Sequence, residues 1–439
     1  MLAGNETLSG WTASPQGRGT FDIVLTCILT IILCCWTTVC PNVPALTDGR
    51  WAQFCDKFDL ACIGLLGPEF LLGIALGQRS SASRSVKKFK QLKGKYPPWT
   101  LTHAFFADMG GFVLEAPDLS FPIPLDAEQI FYLVENKYID YSAIDEEEIR
   151  DKNKADGLAR LLTVCQALWF LTSSIARPIQ GLRMTTLELT TISFIIVMFA
   201  TSYSWFHKPS DISRPITLQC NTTISHIRNE AGLRGLSDEY RSTPLDFIND
   251  DEYVMHLIWD HYINLLQRLH IPLFTRRITT RPHNRNRGDR FLKTALNFEF
   301  FAGIVIIPFS ATFICAWNFY FPSEAERILW RTASVFFFFF GAIGGSYTWM
   351  WHLMLFEKYK QNARVSRIDA SAAHLHRGKA TPAGSTIPLP KSLIWPVSFL
   401  CFFHCLFRTY IFVEDIISLR SLPESVFSSV NWSLYLPHI

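Results

Sequence analysis

The chain reads as an all-α, polytopic transmembrane helix bundle of about seven spans, and three observations carry that reading. Of its 439 residues, 49% are hydrophobic and only 18% are charged, against roughly 25% charged in soluble domains. The mean hydropathy is positive, +0.16. The apolar residues also gather in blocks of about 20, the length that crosses a hydrocarbon core as a helix.

Seven blocks meet that length: residues 21–40, 59–77, 158–177, 187–206, 297–321, 329–351 and 392–415. The first is followed by Pro41-Asn42-Val43-Pro44-Ala45, so a cleaved signal peptide is the competing reading. Its leading region holds a single Arg18, which favours a retained helix. The net charge of +3 decides little, but its distribution is uneven. Residues 78–95 hold Arg79, Arg84, Lys87, Lys88, Lys90, Lys93 and Lys95, and 276–293 and 358–391 are similarly basic. The positive-inside rule places these stretches, and the long loops 78–157 and 207–296, in the cytoplasm. With seven spans the N-terminus is then cytoplasmic and the C-terminus lumenal. The glycosylation sequon Asn431-Trp432-Ser433 falls on the lumenal side and Asn221-Thr222-Thr223 on the silent cytoplasmic side.

In the first loop, the apolar stretch 99–114 contains Phe105, Phe106, Asp108, Gly110, Gly111 and Phe112. It is too short to span, which leaves a re-entrant segment turning at Gly110-Gly111 or a small cytoplasmic subdomain. Helices are expected over 126–138 and from Asp145-Glu146-Glu147-Glu148 onward. In the second loop, Val254, Leu257, Ile258, His261, Leu265 and Leu269 form one stripe of an amphipathic helix. The basic run 276–290 that follows suits anionic lipid better than nucleic acid. The third loop, 361–391, is rich in Ser, Ala, Thr and Pro, a flexible composition. The eleven cysteines show no zinc spacing and mostly sit in apolar blocks; Cys40 and Cys55 bracket the first connecting loop and are the one pair placed to bond.

Chemistry-bearing residues are few. His404 and Arg408, four apart, share one face of the last span. A cation at bilayer depth is costly, so it is normally paired and inward-facing. Glu69, just after Pro68 in the second block, is the natural partner at similar depth, and Pro68 bends the chain and frees a carbonyl. Burial raises a carboxyl pKa and Arg⁺ lowers it, so tight pairing with Arg408 makes Glu69 a poor acid. His404 and Arg408 are then expected to position the proton donor rather than to be it. Asp108 is the other candidate acid, set among Phe105, Phe106 and Phe112 with His103 nearby; the plain alternative is a turn carboxylate. Arg177, Arg183 and Glu188 read as interfacial charge neutralisation, and Glu299, Glu414 and Asp415 as interfacial carboxylates. Phe is 36 residues and Trp 13, with Phe336 to Phe340 consecutive. Gly341 and Gly345 after that run suggest close helix packing.

No nucleotide, zinc-protease, serine-hydrolase or haem motif is present. Asn249-Asp250-Asp251-Glu252 lacks the second aspartate-rich motif that a diphosphate–Mg²⁺ site needs. No internal repeat is visible, which counts against a duplicated transporter.

Several blocks, in order, resemble a widespread fungal family of multi-spanning membrane proteins. They are Gly17-Arg18-Gly19-Thr20, Trp99-Thr100-Leu101 through Gly110-Gly111-Phe112, Lys154-Ala155-Asp156, Thr186-Leu187-Glu188-Leu189, Trp205-Phe206-His207-Lys208-Pro209, and Asn431-Trp432-Ser433 to Pro437-His438. The chain is similar through them to the membrane-bound terpene cyclases of fungal meroterpenoid pathways, of the ascochlorin, ascofuranone and macrophorin type. No catalytic motif of those enzymes is matched residue by residue. The resemblance implies an integral membrane protein of the endoplasmic reticulum that needs no cofactor or metal. It implies acid-initiated cyclisation of a small hydrophobic prenylated substrate, with Glu69, Asp108, His404 and Arg408 as the residues available to it. The alternative is a transporter, channel or receptor-like protein. Partners are the bilayer and that substrate, with no nucleic acid.

Overall fold

A computed structural model of the protein describes residues 7–14, 18–92, 98–141, 144–153, 157–233, 240, 242–249, 253–271, 276, 278, 281–353 and 389–434. Lys93, Lys95, residues 154–156, 250–252, most of the third loop and Pro437-His438 lie outside the described residues. In chain order the helices are α1 (Thr20–Thr38), α2 (Arg50–Leu66), α3 (Pro68–Phe89), α4 (Leu101–Asp108), α5 (Ala127–Glu135), α6 (Glu146–Lys152) and α7 (Gly157–Ile179). There follow α8 (Thr186–Ser204), α9 (Ile224–Glu230), α10 (Val254–Arg268), α11 (Leu296–Cys315), α12 (Glu324–Trp351) and α13 (Lys391–Ile417). Short strands are β1 (Thr7–Ser9), β2 (Phe112–Glu115), β3 (Ile123–Pro124), β4 (Ile216–Gln219) and β5 (Ser421–Pro423).

Among the described residues, six helices are long and apolar enough to cross a membrane: α1, α7, α8, α11, α12 and α13. They match six of the seven predicted blocks. Most of their surface is apolar and outward-facing, as lipid contact requires: α7, α12 and α13 are about a fifth buried, whereas α8 is 72% buried. Helix α8 packs on α1, α3, α11 and α13 and is the axis of the bundle. Hydroxyls of Thr191, Thr201 and Ser204 are bonded within the helix, donating to the carbonyls of Leu187, Val197 and Ala200.

The seventh block, 59–77, is not a straight span. Gly67 ends α2, its N–H donating to Ile63 O at 2.8 Å, and Pro68 opens α3. Proline at the first helical position loses nothing, since that N–H has no intrahelical acceptor. A side chain at 67 would strike the Phe70 ring at 2.4 Å, so the break needs glycine. Helix α2 starts at the basic end of the bundle, where Lys57 donates to Asp211 at 3.2 Å. Helix α3 returns to that end, where Gln78 accepts from Trp205 at 2.9 Å and donates to Gly288 O at 3.3 Å. The pair is a helical hairpin that enters and leaves by one end. From Gln78 back to Pro68 is ~15 Å of helix, about half a ~30 Å hydrocarbon core.

This hairpin corrects the expected topology. Strand β1 pairs antiparallel with β5, Leu8 opposite Leu422, so the N- and C-terminal segments share the end opposite the basic loops. The first connecting loop, 41–58, sits at the basic end instead of across from it. There Asn42 donates to Arg287 O at 2.9 Å.

The re-entrant element is therefore α2–α3, and the stretch 99–114 builds the subdomain that was its alternative. Thr100 and Asp126 cap α4 and α5 by accepting from His103 N–H and Gln129 N–H. Gly110, at φ +78°, turns the chain out of α4 into β2. Parallel pairing of β2 with β4 joins the two long loops, and Phe105, Phe106 and Phe112 are buried beneath. Asp145 caps α6 as expected. In α10, Val254, Leu257 and Ile258 are buried but Leu265 and Leu269 are exposed, so only the first half of that stripe faces protein. Cys40 and Cys55 are both free thiols; Cys40 is buried, its sulfur accepting from Arg160 at 3.5 Å.

The shared end is testable by a Ser9→Cys, Ser421→Cys pair, since these residues are register partners. Mild oxidation is expected to give a linked peptide by mass spectrometry, and seven crossings would give none.

Candidate functional site

The hairpin tip delivers Glu69 to the middle of the bundle. It lies in the first turn of α3, where the helix dipole favours negative charge. Its Oε1 is 2.6 Å from His404 Nε2, and Arg408 Nη2 donates to its Oε2 at 3.4 Å. The helix break also frees the Leu66 carbonyl, because Phe70 N–H turns to Gly67 O instead. Arg408 Nε donates to that freed carbonyl at 3.1 Å, so one guanidinium caps α2 and pairs with α3. Arg408 Nη1 has no partner among the described residues.

Phenylalanines complete the enclosure. The rings of Phe194, Phe309, Phe337 and Phe412 surround the Arg408 guanidinium at 5.3 to 5.6 Å, within cation–π range. Around the His404 ring stand Phe340 at 4.6 Å, Phe70 at 5.3 Å and Phe337 at 5.4 Å. His404 and Arg408 are 4% and 3% exposed. The Glu69 side chain keeps 11%, next to exposed Leu66.

Sequence spacing thus finds three members of one cluster, and the structure brings Glu69, His404 and Arg408 together. Asp108 stands apart. It faces Ser81 on α3, twelve residues or ~18 Å of helix from Glu69. Its Oδ1 accepts Ala127 N–H at 3.0 Å and its Oδ2 has no hydrogen-bond partner among the described residues. Burial, with Asp126 close by, pushes Asp108 up to about 7; Asp126 is raised by burial as well. His103 is engaged with Thr100 and stacks on Trp99, not on Asp108.

Several charges differ from expectation. Glu414 and Asp415 are 2% and 1% exposed, buried rather than interfacial. Arg177 is buried and donates to the carbonyls of Arg183, Ser425, Val426 and Ser428, which fixes the C-terminal segment. The basic run 276–290 is internally neutralised: Arg276 binds Asp48 and Asp56 at 2.9 and 2.8 Å, and Arg287 binds Asp260 and Asp289 at 2.6 and 2.7 Å. Asp289 is local to the run, but Asp48, Asp56 and Asp260 are far away in sequence, so no local signal announces their pairing. Lys208, buried between Asn42 and Gln78 with burial pushing it down to about 8, escapes the sequence reading too. No group of three or more His, Cys, Asp or Glu converges as a metal site among the described residues.

These features define a polytopic, membrane-type helix bundle closed around one Glu–His–Arg cluster. The chain belongs to a family of unknown function, DUF8562, whose model matches residues 2–228 and 300–439. Glu69, Asp108, His404 and Arg408 all fall in the matched parts. No curated protein and no solved structure matches the chain.

Removing one partner of a buried ion pair leaves the other charge stranded, at about 3–5 kcal/mol. Arg408→Met is expected to destabilise by that amount in thermal unfolding, and adding Glu69→Gln to recover most of it. For Asp108, a raised folded pKa means that the native state binds the extra proton. Its contribution to stability is full below the unfolded pKa, near 4, and is lost as pH rises toward about 7. Asp108→Asn should accordingly flatten the fall in unfolding midpoint between pH 4 and 7, and raise that midpoint at pH 8.

Proposed function

We propose that the protein is a cofactor-free membrane isomerase of the terpene-cyclase type, closing rings in a small, hydrophobic prenylated substrate by protonating an epoxide or olefin. The observation behind this is the 2.6 Å His404–Glu69 contact inside a wall of Phe70, Phe337 and Phe340. A proton held between imidazole and carboxylate at that distance belongs to the pair. The longer 3.4 Å contact leaves Arg408 as a fixed charge that orients the carboxylate. His404, expected to position the donor, becomes part of it.

The step balances without an added reagent. The pair gives its proton to the epoxide oxygen or the olefin, and the C–O bond or π bond breaks to leave a carbocation. The next olefin attacks that cation, closing the ring, and a final C–H bond returns a proton to the pair. Aromatic faces stabilise the travelling cation, and exclusion of water prevents its capture. Hydrophobic substrate reaches the site from the bilayer past Leu66, where Glu69 keeps its exposed edge. The basic end faces the cytoplasm by the positive-inside rule, in the endoplasmic reticulum membrane.

A second reading, a transporter or channel, draws on the α2–α3 hairpin. Broken helices that end at mid-depth on a carboxylate are a common way to present an ion site in transporters.

Membranes from a heterologous host, supplied with prenylated epoxide and olefin substrates and no cofactor, separate the two. Wild type should give cyclised product, Glu69→Gln and His404→Asn should lose ~10²-fold or more, and Asp108→Asn should stay active. Absence of product from every such substrate, with Glu69-dependent proton flux in liposomes, would instead establish the transporter.

A further inference from the structure

The buried carboxyl of Asp415 is used by neither reading. It lies in the last turn of α13, seven residues or ~10.5 Å of helix beyond Arg408, whose charge is taken by Glu69. Asp415 is 1% exposed and neither of its oxygens has a hydrogen-bond partner among the described residues. The hydroxyls of Thr186 and Thr190 on α8 face it. Thr190 Oγ1 is itself fully buried and without a geometric hydrogen-bond partner among the described residues. Thr186 Oγ1 lies 3.2 Å from Ser418 Oγ, which brings a third hydroxyl to the same place.

The cations at this end of the bundle are already committed. Arg18 pairs with Glu188, and Arg177 lies 4.0 Å from Glu188 while bonding four carbonyls. Glu414 turns the other way, accepting from Tyr410 at 3.4 Å. A carboxylate left alone at this depth is costly. The carboxyl and the three hydroxyls are gathered at one buried place. The donors are one carboxylate and neutral hydroxyls, all hard oxygen ligands, and together they balance a single positive charge.

We propose that Asp415, Thr186, Thr190 and Ser418 form a binding site for one monovalent metal cation between the N-terminal turn of α8 and the C-terminal turn of α13. The site joins two helices that also hold the Glu69 cluster, so an ion there stiffens the bundle whichever chemistry Glu69 performs. It does not rest on the cyclase reading.

The full chain, purified in detergent micelles, is unfolded thermally in NaCl, KCl or choline chloride at equal ionic strength and constant pH. A saturable rise in midpoint with Na⁺ or K⁺ over choline is expected, lost in Asp415→Asn. Thr190→Val, which keeps the side-chain shape and removes one ligand, should weaken the apparent affinity roughly tenfold, the equivalent of 1.4 kcal/mol. A wild type with no metal-specific shift, or an Asp415→Asn variant with the wild-type shift, overturns the proposal. If Asp415→Asn does not fold, an unchanged cation affinity in Thr190→Val overturns it equally.

Discussion

The structure depends on one requirement: the negative charge of Glu69 has to be satisfied inside an apolar bundle. Three features meet it at one point. The Gly67-Pro68 break puts Glu69 in the first turn of a helix, His404 touches one carboxylate oxygen at 2.6 Å, and Arg408 holds the other. The same Arg408 side chain occupies the Leu66 carbonyl that the break leaves free. Break, carboxylate and cation are therefore one solution to a single electrostatic problem, since none would be stable at that depth without the others.

Packing follows from this core. With the hairpin turned back at half depth, six of the described helices are long and apolar enough to cross, and the terminal strands meet at the end opposite the loops. Helix α8 runs through the centre as the least lipid-exposed of the six, with Thr191, Thr201 and Ser204 bonded back to its own carbonyls. At the basic end the loops are held by a paired Arg–Asp network and a small parallel strand pairing, so their charges serve the fold before any partner. The aromatic shell is shared between functions: Phe337 packs against both His404 and Arg408 and ties α12 to the cluster.

Much of this was legible in the sequence, and the limits have physical causes. Six blocks of continuous apolar residues became six helices, because length and hydropathy alone specify a span. The i, i+4 spacing of His404 and Arg408, with Glu69 after Pro68, predicted their cluster, because an intramembrane charge demands a partner. Block 59–77 reads as a crossing in sequence but is a hairpin in the fold: hydropathy reports burial, and a helical hairpin buried in protein looks as apolar as a span. Asp415 and Arg177 looked interfacial because position along a helix does not reveal which face its neighbours cover. Asp108 had the right apolar surroundings for an acid, but those surroundings belong to the loop subdomain, and only the tertiary fold shows its distance from Glu69. The pairing of Arg276 with Asp48 and Asp56, and of Arg287 with Asp260, is hidden from the sequence for the same reason.

The contact between Glu69 and His404 is the most direct test of this account. Unfolding free energies of wild type, Glu69→Gln, His404→Asn and the double variant, measured under identical detergent and pH, give their coupling. A buried, charge-assisted contact predicts a coupling of about 1–3 kcal/mol. Additive effects, within about 0.5 kcal/mol, would mean that the two side chains do not meet and that the hairpin does not reach α13.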